Sequence, residues 1–325
     1  IIDDITPLRH LDERVLDAEL SLLPNRPQQQ RIQGYGGWSR GDAAFVGANA
    51  PANVVITYHQ KSRHLFGKLK LEILDRDGNV IDTLPASKRR GINRVEWAMT
   101  VKPPRTPQGA VLSGAATYGP RHLPGRYTVR LTKNGQVFEA PLDIALDSRA
   151  SHSLADREVQ FAESMRLHGL FERMADLSDR LVGLREQAKA RAAAASGRTS
   201  KALTRFAEDV EALRKQIVAT KEGGAITGEE RLREHLDFLY AAVVNWEGRP
   251  GNYHQQRADA VERELGELEA SLDRLVERRA KPLGLDPAAR AVASGSGSPR
   301  AGLYALRYHW HTPNLISTVR EKKRR

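Results

Sequence analysis

Apolar and polar residues alternate with a period of two through much of residues 43–147. Leu69, Leu71 and Ile73 share one parity, and Lys70 and Glu72 lie between them. The same rhythm recurs at 54–58, 95–97, 127–131 and 142–146. Because successive side chains of a β-strand point to opposite faces, each run gives a strand with one apolar face. About six or seven such strands without an intervening helix predict an antiparallel β-sandwich of the immunoglobulin or fibronectin type III kind, with Trp97 in its core.

Two dipeptides between the apolar runs have the composition of tight turns. Asp77-Gly78 and Asn134-Gly135 contain residues that adopt positive φ with little strain. Hairpin turns need that conformation, so we expect each dipeptide to join two neighbouring strands. Lys88-Arg89-Arg90, just before Gly91, is interpreted as a further loop between strands.

From about residue 152 the apolar spacing changes to three and four residues, the period of an α-helix. The resulting four stripes are Leu167, Leu170, Met174, Leu177, Leu181 and Leu184; Leu203, Phe206, Val210, Leu213 and Ile217; Leu232, Leu236, Leu239 and Val243; and Ala258, Val261, Leu265, Leu268, Leu272 and Leu275. Breaks are expected at 196–197, 223–224 and 248–251. Helices with one apolar stripe bury it best against one another, so residues 148–285 predict an antiparallel helical bundle.

The two ends of the chain have less regular patterns. Residues 1–42 are interpreted as a leading segment or linker, in which Pro24, Pro27 and the glutamines at 28–30 interrupt regular structure. The first residue is Ile1 rather than Met, which we interpret as a processed or truncated start. Residues 286–325 contain a Ser-Gly run at 294–298 and are predicted to form a poorly ordered basic tail.

Composition restricts the class of protein. Hydrophobic residues make up 40% and charged residues 28% of the 325 positions, which is ordinary for a globular chain. No apolar run approaches the roughly 20 residues that span a bilayer, and no signal peptide is visible. The chain has no cysteine, which excludes disulfide frameworks, thiolate metal sites and cysteine nucleophiles.

The net charge of +11 is unevenly placed along the chain. Residues 1–150 have about six excess positive charges, residues 151–290 are close to neutral, and the last 35 residues have about six more. Specific nucleic-acid binding would need a basic folded face with interleaved aromatic residues, which the pattern does not give. A solvated tail is favoured, and binding to anionic polymers or lipid is the alternative.

A glycine-rich loop at residues 34–38 invites several functional interpretations. A phosphate cradle would need a following helix with a Lys and a hydroxyl residue, so a structural turn is favoured. Tyr35 and Trp38 are possible ligand contacts, because exposed aromatic rings can stack on a sugar. Residues 37–41 also match Gly-x-Ser-x-Gly, but no strand-to-helix turn surrounds Ser39, which argues against a nucleophile there.

The histidines and carboxylates give no catalytic pattern. His309 and His311 share a parity, but no third metal ligand is close in sequence. The remaining conspicuous groups are the scattered His152, His168, His235 and His254 and the acidic runs Asp3-Asp4, Glu229-Glu230 and Glu262, Glu264, Glu267, Glu269. These fit core or solvated positions, and a glycosidase would need two carboxyls facing across a cleft. We therefore assign no catalytic, cofactor-binding or metal-binding residue.

Several motifs resemble a known family. These are residues 3–9 (DDITPLR), 47–51 leading to 55–58 (GANAP, VITY), 70–75 (KLEILD), 91–97 (GINRVEW), 123–129 (LPGRYTV), and the helical stretch with Phe161, Arg166 and Leu167. Over roughly residues 1–285 the chain resembles the C-terminal region of bacterial sortilin-type, BNR-repeat glycosyl hydrolase-like proteins, although Ala50 stands where the family has proline. The stretch 71–129 is also similar to the Ig-like domain of flagellar hook-capping proteins.

The resemblance implies a large β-propeller N-terminal to this chain. The family's catalytic carboxylates, where activity exists, would lie in that propeller, and the family is typically exported. The leading hypothesis is therefore a non-catalytic accessory module that braces the propeller or binds another protein. The alternatives are a carbohydrate-binding module that uses Tyr35 or Trp38, and a hydrolase with a cleft between sandwich and bundle.

Overall fold

A computed structural model describes residues 5–25, 27–30, 52–111, 113–221 and 228–290. The chain has mixed α+β structure, with strands mostly before residue 147 and long helices after it. The strands are β1 (Leu20–Leu22), β2 (Gln28–Gln30), β3 (Val54–Gln60), β4 (Leu69–Leu74), β5 (Val80–Leu84), β6 (Gly91–Trp97), β7 (Gly125–Lys133) and β8 (Gln136–Leu146). The helices are α1 (Thr6–Arg9), α2 (Glu13–Asp17), α3 (Leu154–Ala194), α4 (Gly197–Ile217), α5 (Leu232–Val244) and α6 (Asn252–Leu275).

The strands form two sheets that share one apolar cluster. The first sheet has the order β1-β3-β6 and the second β2-β8-β7-β4-β5. Pairing is antiparallel throughout both sheets except between β2 and β8, which run parallel. Ile56, Val95 and Trp97 of the first sheet and Ile73 and Val129 of the second belong to the same buried cluster. The alternating residues therefore face inward, as the period of two predicts.

Trp97 is buried at the end of β6, which confirms its predicted core position. Its indole packs edge-on against Tyr127, with ring centroids 5.5 Å apart. Its Nε1 donates a hydrogen bond to Asp82 Oδ2 at 3.0 Å, so the polar atom of the ring is satisfied inside the core.

Both predicted hairpin turns are present. Gly78 has φ +83° in the turn between β4 and β5. Asn134 and Gly135 join β7 to β8 with φ values of 50° and 88°. Positive φ at both central residues matches the right-handed twist of the strands, which explains the Asn-Gly pair. The interpretation of residues 88–90 as a loop is also confirmed, because they lie between β5 and β6.

The segment before residue 42 contributes strands to both sheets. β1 pairs with β3 in the first sheet, and β2 pairs with β8 in the second. The prediction that the glutamines at 28–30 interrupt regular structure is therefore wrong. A free edge of β8 offers backbone hydrogen bonds to any extended segment, and that pairing outweighs the weak strand propensity of glutamine.

The four longer helices confirm the stripes. Their apolar residues come together in a second buried cluster that includes Phe171, Leu184, Phe206, Leu236 and Leu265. α3 begins with a capping box in which Ser153 and Asp156 exchange hydrogen bonds, and it extends about 60 Å at 1.5 Å per residue. The break at 196–197 is confirmed, since α4 begins at Gly197 with φ +63°. The break at 223–224 and the tail from 291 lie outside the described residues.

Candidate functional site

The connection between β6 and β7 lies along the helices. We call residues 98–124 the strap, described except for residue 112. Ala115 and Ala116 of the strap belong to the apolar cluster of the helices rather than to that of the sheets. The Ala110 amide donates to the Ala219 carbonyl at 2.9 Å, which fixes the middle of the strap just beyond α4.

Arg233 of α5 holds the strap by its backbone. Only 2% of this residue is exposed, and its Nη1 and Nη2 donate to the carbonyls of Pro107 at 3.1 Å and Val111 at 2.6 Å. Glu234 supplies the counter-charge, with Arg233 Nε 2.8 Å from Glu234 Oε1. Gly109 makes this approach possible, since a Cβ there would lie 2.6 Å from Nη1. Hydrogen bonds from the buried guanidinium thus satisfy strap carbonyls that would otherwise need a backbone partner in a helix or sheet.

The following turn of α5 binds the next part of the strap. Asp237 accepts hydrogen bonds from the amides of Ala116 at 3.1 Å and Ala115 at 3.4 Å. Burial raises the pKa of the Asp237 carboxyl, and the amide hydrogen bonds oppose that rise. Tyr240 donates its hydroxyl to the Tyr118 carbonyl at 3.0 Å, and burial raises the pKa of this phenol.

A second buried arginine joins the end of the strap to α3. Arg157 is 1% exposed, and its Nη2 donates to the carbonyls of Arg121 at 2.9 Å and His122 at 3.3 Å. Its Nη1 donates to Gln160, whose Nε2 in turn donates to the Val243 carbonyl at 2.7 Å. Burial lowers the pKa of the Arg157 guanidinium, although the group stays charged at neutral pH. This polar joint consequently ties the strap, α3 and α5 together.

The remaining groups at the polar joint are only partly hydrogen-bonded, because among the described residues Gln30 Oε1, His122 Nε2 and Glu247 Oε2 find no partner. Arg121 donates to the buried carboxylate of Glu247, and Gln30 of β2 donates to the His122 carbonyl. The imidazole of His122 lies between Trp97 and Phe161, with centroid distances of 5.7 and 6.4 Å. Burial lowers the pKa of His122. These side chains lie at the junction between sheets and helices, which is where the hydrolase hypothesis places a cleft.

Most residues singled out for sugar, nucleophile or metal chemistry lie outside the described part of the chain. These are Tyr35, Trp38, Ser39, His309 and His311. Of the helical histidines, His168 is half-buried and bonded through Nε2 to the Lys102 carbonyl at 3.0 Å. Within the described residues, no group of three or more His, Asp or Glu could hold a metal ion. Whether the first five residues come together with any other group is therefore a question outside the described residues.

Two shallow concavities occur on the helices. One, of about 420 Å³, is lined by α4, α5, α6 and the segment just before α5, and contains His235, Glu230 and Glu264. The other, of about 670 Å³, lies between α3 and α4 and contains Arg185, Glu208 and Glu211. In the second, Glu211 is already engaged by Arg214 at 2.7 Å and by Arg185. An ion-paired carboxylate of this kind is a structural group and a poor general base.

Two aromatic side chains are exposed near the connection between α5 and α6, Trp246 in the connection itself and Tyr253 in the first turn of α6. Trp246 is 59% exposed and Tyr253 is 71% exposed. The indole of Trp246 lies against Gly248. The contact is so close that a Cβ at position 248 would be 2.7 Å from the indole Nε1. A ring supported on one side and open on the other is a suitable surface for stacking.

The chain matches no family model, no curated protein and no solved structure. Among the described residues, no helix is long and apolar enough to cross a membrane. The function proposed below therefore depends on the contacts within the chain.

The sequence analysis predicted neither the strap nor the two helical arginines that bind it. Period-based analysis treats Arg157 and Arg233 as solvated positions on amphipathic helices, because charged residues normally face water. The available signal was length: strands β6 and β7 are separated by residues 98–124, and connections of that length inside a compact unit commonly have a role.

Proposed function

We propose that this chain is a non-catalytic accessory module at the C-terminus of an exported β-propeller protein of the glycosyl hydrolase-like, sortilin-type family. Its partner would be the N-terminal propeller of the same parent chain, and its location extracytoplasmic. The module braces the propeller or presents its helices to another protein. The observation that carries the proposal is the strap, which fixes the helices to the sheets through buried polar contacts.

The contacts of the strap are suited to mechanical bracing. Arg157 and Arg233 each bind two backbone carbonyls, so either contact can open only by leaving a buried cation and its acceptors unpaired. A junction of that kind resists rotation of one region against the other. Domains that move independently commonly meet at hydrated interfaces that resemble transient protein–protein contacts, whereas the hydrogen bonds of the strap are buried.

Two measurements test the bracing function. If the sheets and helices act as one unit, near-ultraviolet circular dichroism of Trp97 and helical dichroism at 222 nm lose their signals at the same urea concentration. Two separate transitions would contradict bracing. Clear turnover of any substrate in a panel of glycosides by this chain alone would overturn the non-catalytic assignment. A gene that lacks propeller repeats upstream of Ile1 would remove the proposed partner.

Carbohydrate binding is a second candidate, favoured by the exposed rings of Trp246, in the α5–α6 connection, and Tyr253, at the start of α6. Trp38 and Tyr35 belong to the same hypothesis. Retention on insoluble polysaccharide that is lost in Trp246→Ala or Trp38→Ala, but kept in Phe238→Ala, would support it. Phe238 is the matched control because it is also an exposed ring, on α5. Absence of retention on every polysaccharide tested would remove this candidate.

A further inference from the structure

The sheets have a second end, opposite to the strap. The connection 61–68 follows β3 and precedes β4, the connection 85–90 joins β5 to β6, and the turn 134–135 joins β7 to β8. The strand register places all three at one end, because Gln60 pairs with Gly91 and Leu69 pairs with Lys133. The strap and α3 leave the sheets from the other end. We call the three connections together the distal end.

Two adjacent apolar side chains project from the distal end. Leu65 is 63% exposed and Phe66 is 84% exposed, although neighbouring His64 is buried. Exposure of a phenylalanine to this degree means that the protein provides almost no contact for the ring. A Leu-Phe pair on a short loop therefore forms a small convex apolar tip.

The base of this tip is held firmly. The His64 amide donates to the Lys88 carbonyl at 3.0 Å, and His64 Nε2 lies 3.2 Å from the Gly67 carbonyl oxygen. Gly67 has φ +89°, and the Asn134 amide donates to the Lys68 carbonyl at 3.0 Å. Residues 65 and 66 are thus displayed between two anchored points, so little conformational entropy is lost when a partner covers them.

Basic residues surround the tip. The loops 61–68 and 85–90 contain Lys61, Arg63, Lys68, Lys88, Arg89 and Arg90, all exposed, and no acidic residue. Lys61 is paired with Asp17 at 3.1 Å, and the other five have no ion-pair partner among the described residues. Two carboxylates also contact the loop 61–68: Asp17 through Lys61, and Glu19 through Ser62 Oγ at 3.3 Å. An apolar tip beside five cations without an ion pair is complementary to a surface that is apolar beneath an anionic layer.

We infer that the distal end binds the surface of an anionic lipid bilayer, with Leu65 and Phe66 inserted among the acyl chains and the five basic residues without an ion pair against the phosphate groups. A convex tip favours a bilayer over a folded protein, because lipids can close around the ring whereas a protein would need a matching cavity. The inference goes beyond the bracing function and does not depend on it.

The test uses the full chain and vesicles of phosphatidylcholine with or without 30% phosphatidylglycerol. Since the chain has no cysteine, Phe66→Cys supplies a unique site for an environment-sensitive fluorophore. We expect a blue shift and quenching by brominated lipid with anionic vesicles only, reversed by high salt. The control is Phe238→Cys, an exposed position on α5, at which the label should not respond.

Charge variants separate the distal end from the basic residues of a helix. Each basic residue near an anionic bilayer contributes about fivefold, so Lys88→Gln/Arg89→Gln/Arg90→Gln should weaken vesicle binding about a hundredfold. Arg198→Gln/Lys201→Gln/Arg205→Gln, three exposed charges of α4, is the matched control and should have little effect. Vesicle binding that depends equally on both sets of three residues would overturn the inference. So would a label at position 66 that stays in water while the chain binds vesicles. Equal binding to polyglutamate without a spectral shift would do the same, because it would show a general polyanion surface.

Discussion

Arginines of the helices are used in two different ways on two faces of the same assembly. Facing the strap, Arg157 and Arg233 are buried and bind backbone carbonyls. Facing α6, half-buried arginines of α3 that keep contact with water pair with carboxylates in what we call the ladder. Its contacts are Arg166 with Asp259 at 2.6 Å, Arg173 with Glu269 at 2.8 Å and Arg180 with Asp273 at 3.0 Å. The comparison teaches that burial, rather than the number of ion pairs, decides what an arginine contributes.

The physical reason lies in the solvent. A buried guanidinium has lost its hydration, so the carbonyls that replace water cannot be removed without a large penalty. A ladder arginine keeps access to water, and its ion pair is worth about 0–1 kcal/mol. The strap junction should therefore be sensitive to single substitutions, and the α3–α6 face should be tolerant.

The largest effect is expected from Arg233→Met. The change leaves the carbonyls of Pro107 and Val111 without their donor and Glu234 without its counter-charge, so we expect a loss of about 3–4 kcal/mol in the free energy of unfolding. Urea denaturation measures it. Arg231→Met, two residues earlier and exposed, is the control and should lose less than about 0.5 kcal/mol. Similar losses in the two variants would remove the distinction between buried and exposed arginines.

Arg157→Met is expected to follow, with a loss of about 2–3 kcal/mol. It removes the donor to Arg121 and His122 carbonyls, but Gln160 keeps its bonds to Val243 and Ser164. Arg166→Met on the same helix is the matched control from the ladder. If the two variants unfold at the same urea concentration, the polar joint is not a stabilising contact.

A smaller effect is expected from Glu211→Gln, and its size should depend on pH in a defined direction. Hydrogen bonds from Arg214, assisted by Arg185, lower the pKa of this carboxyl from 4.5 to about 2. A lowered folded-state pKa gives stability that is present above pH 4.5 and is lost as the pH falls toward 2. Glu211→Gln should thus be about 1–2 kcal/mol less stable than the parent chain at pH 7, and the difference should vanish near pH 2. Urea titrations at both pH values measure it, and a constant difference would contradict the assignment.

The smallest effect is expected from Arg173→Ala in the ladder. Its carboxylate partners stay hydrated, so we expect a loss of about 0.5 kcal/mol that becomes smaller in 1 M salt. Parallel urea titrations of Arg233→Met in the same salt should show an almost unchanged loss, because that contact is buried. A ladder variant as damaging as Arg233→Met would mean that α3 and α6 depend on their ion pairs.

Much of the fold was predictable because periodicity is a local property. The alternation at 69–73 and 127–131, the positive φ at Asn134-Gly135, and the spacing of Leu167 to Leu184 all report the backbone geometry of their own segment. Each of these predictions was confirmed. The possible sugar contacts Tyr35 and Trp38 lie outside the described residues, so they stay predictions.

Tertiary structure decided what periodicity cannot reach. Gln28–Gln30 became a strand because an edge of β8 was free, and Arg157 and Arg233 became buried because strap carbonyls were available to them. Polar side chains and backbone groups satisfy one another across long sequence separations, and no repeat records such partners. The sequence alone determined the longer strands and helices and their apolar faces; only the packed chain determined β2 and the polar contacts that join those segments.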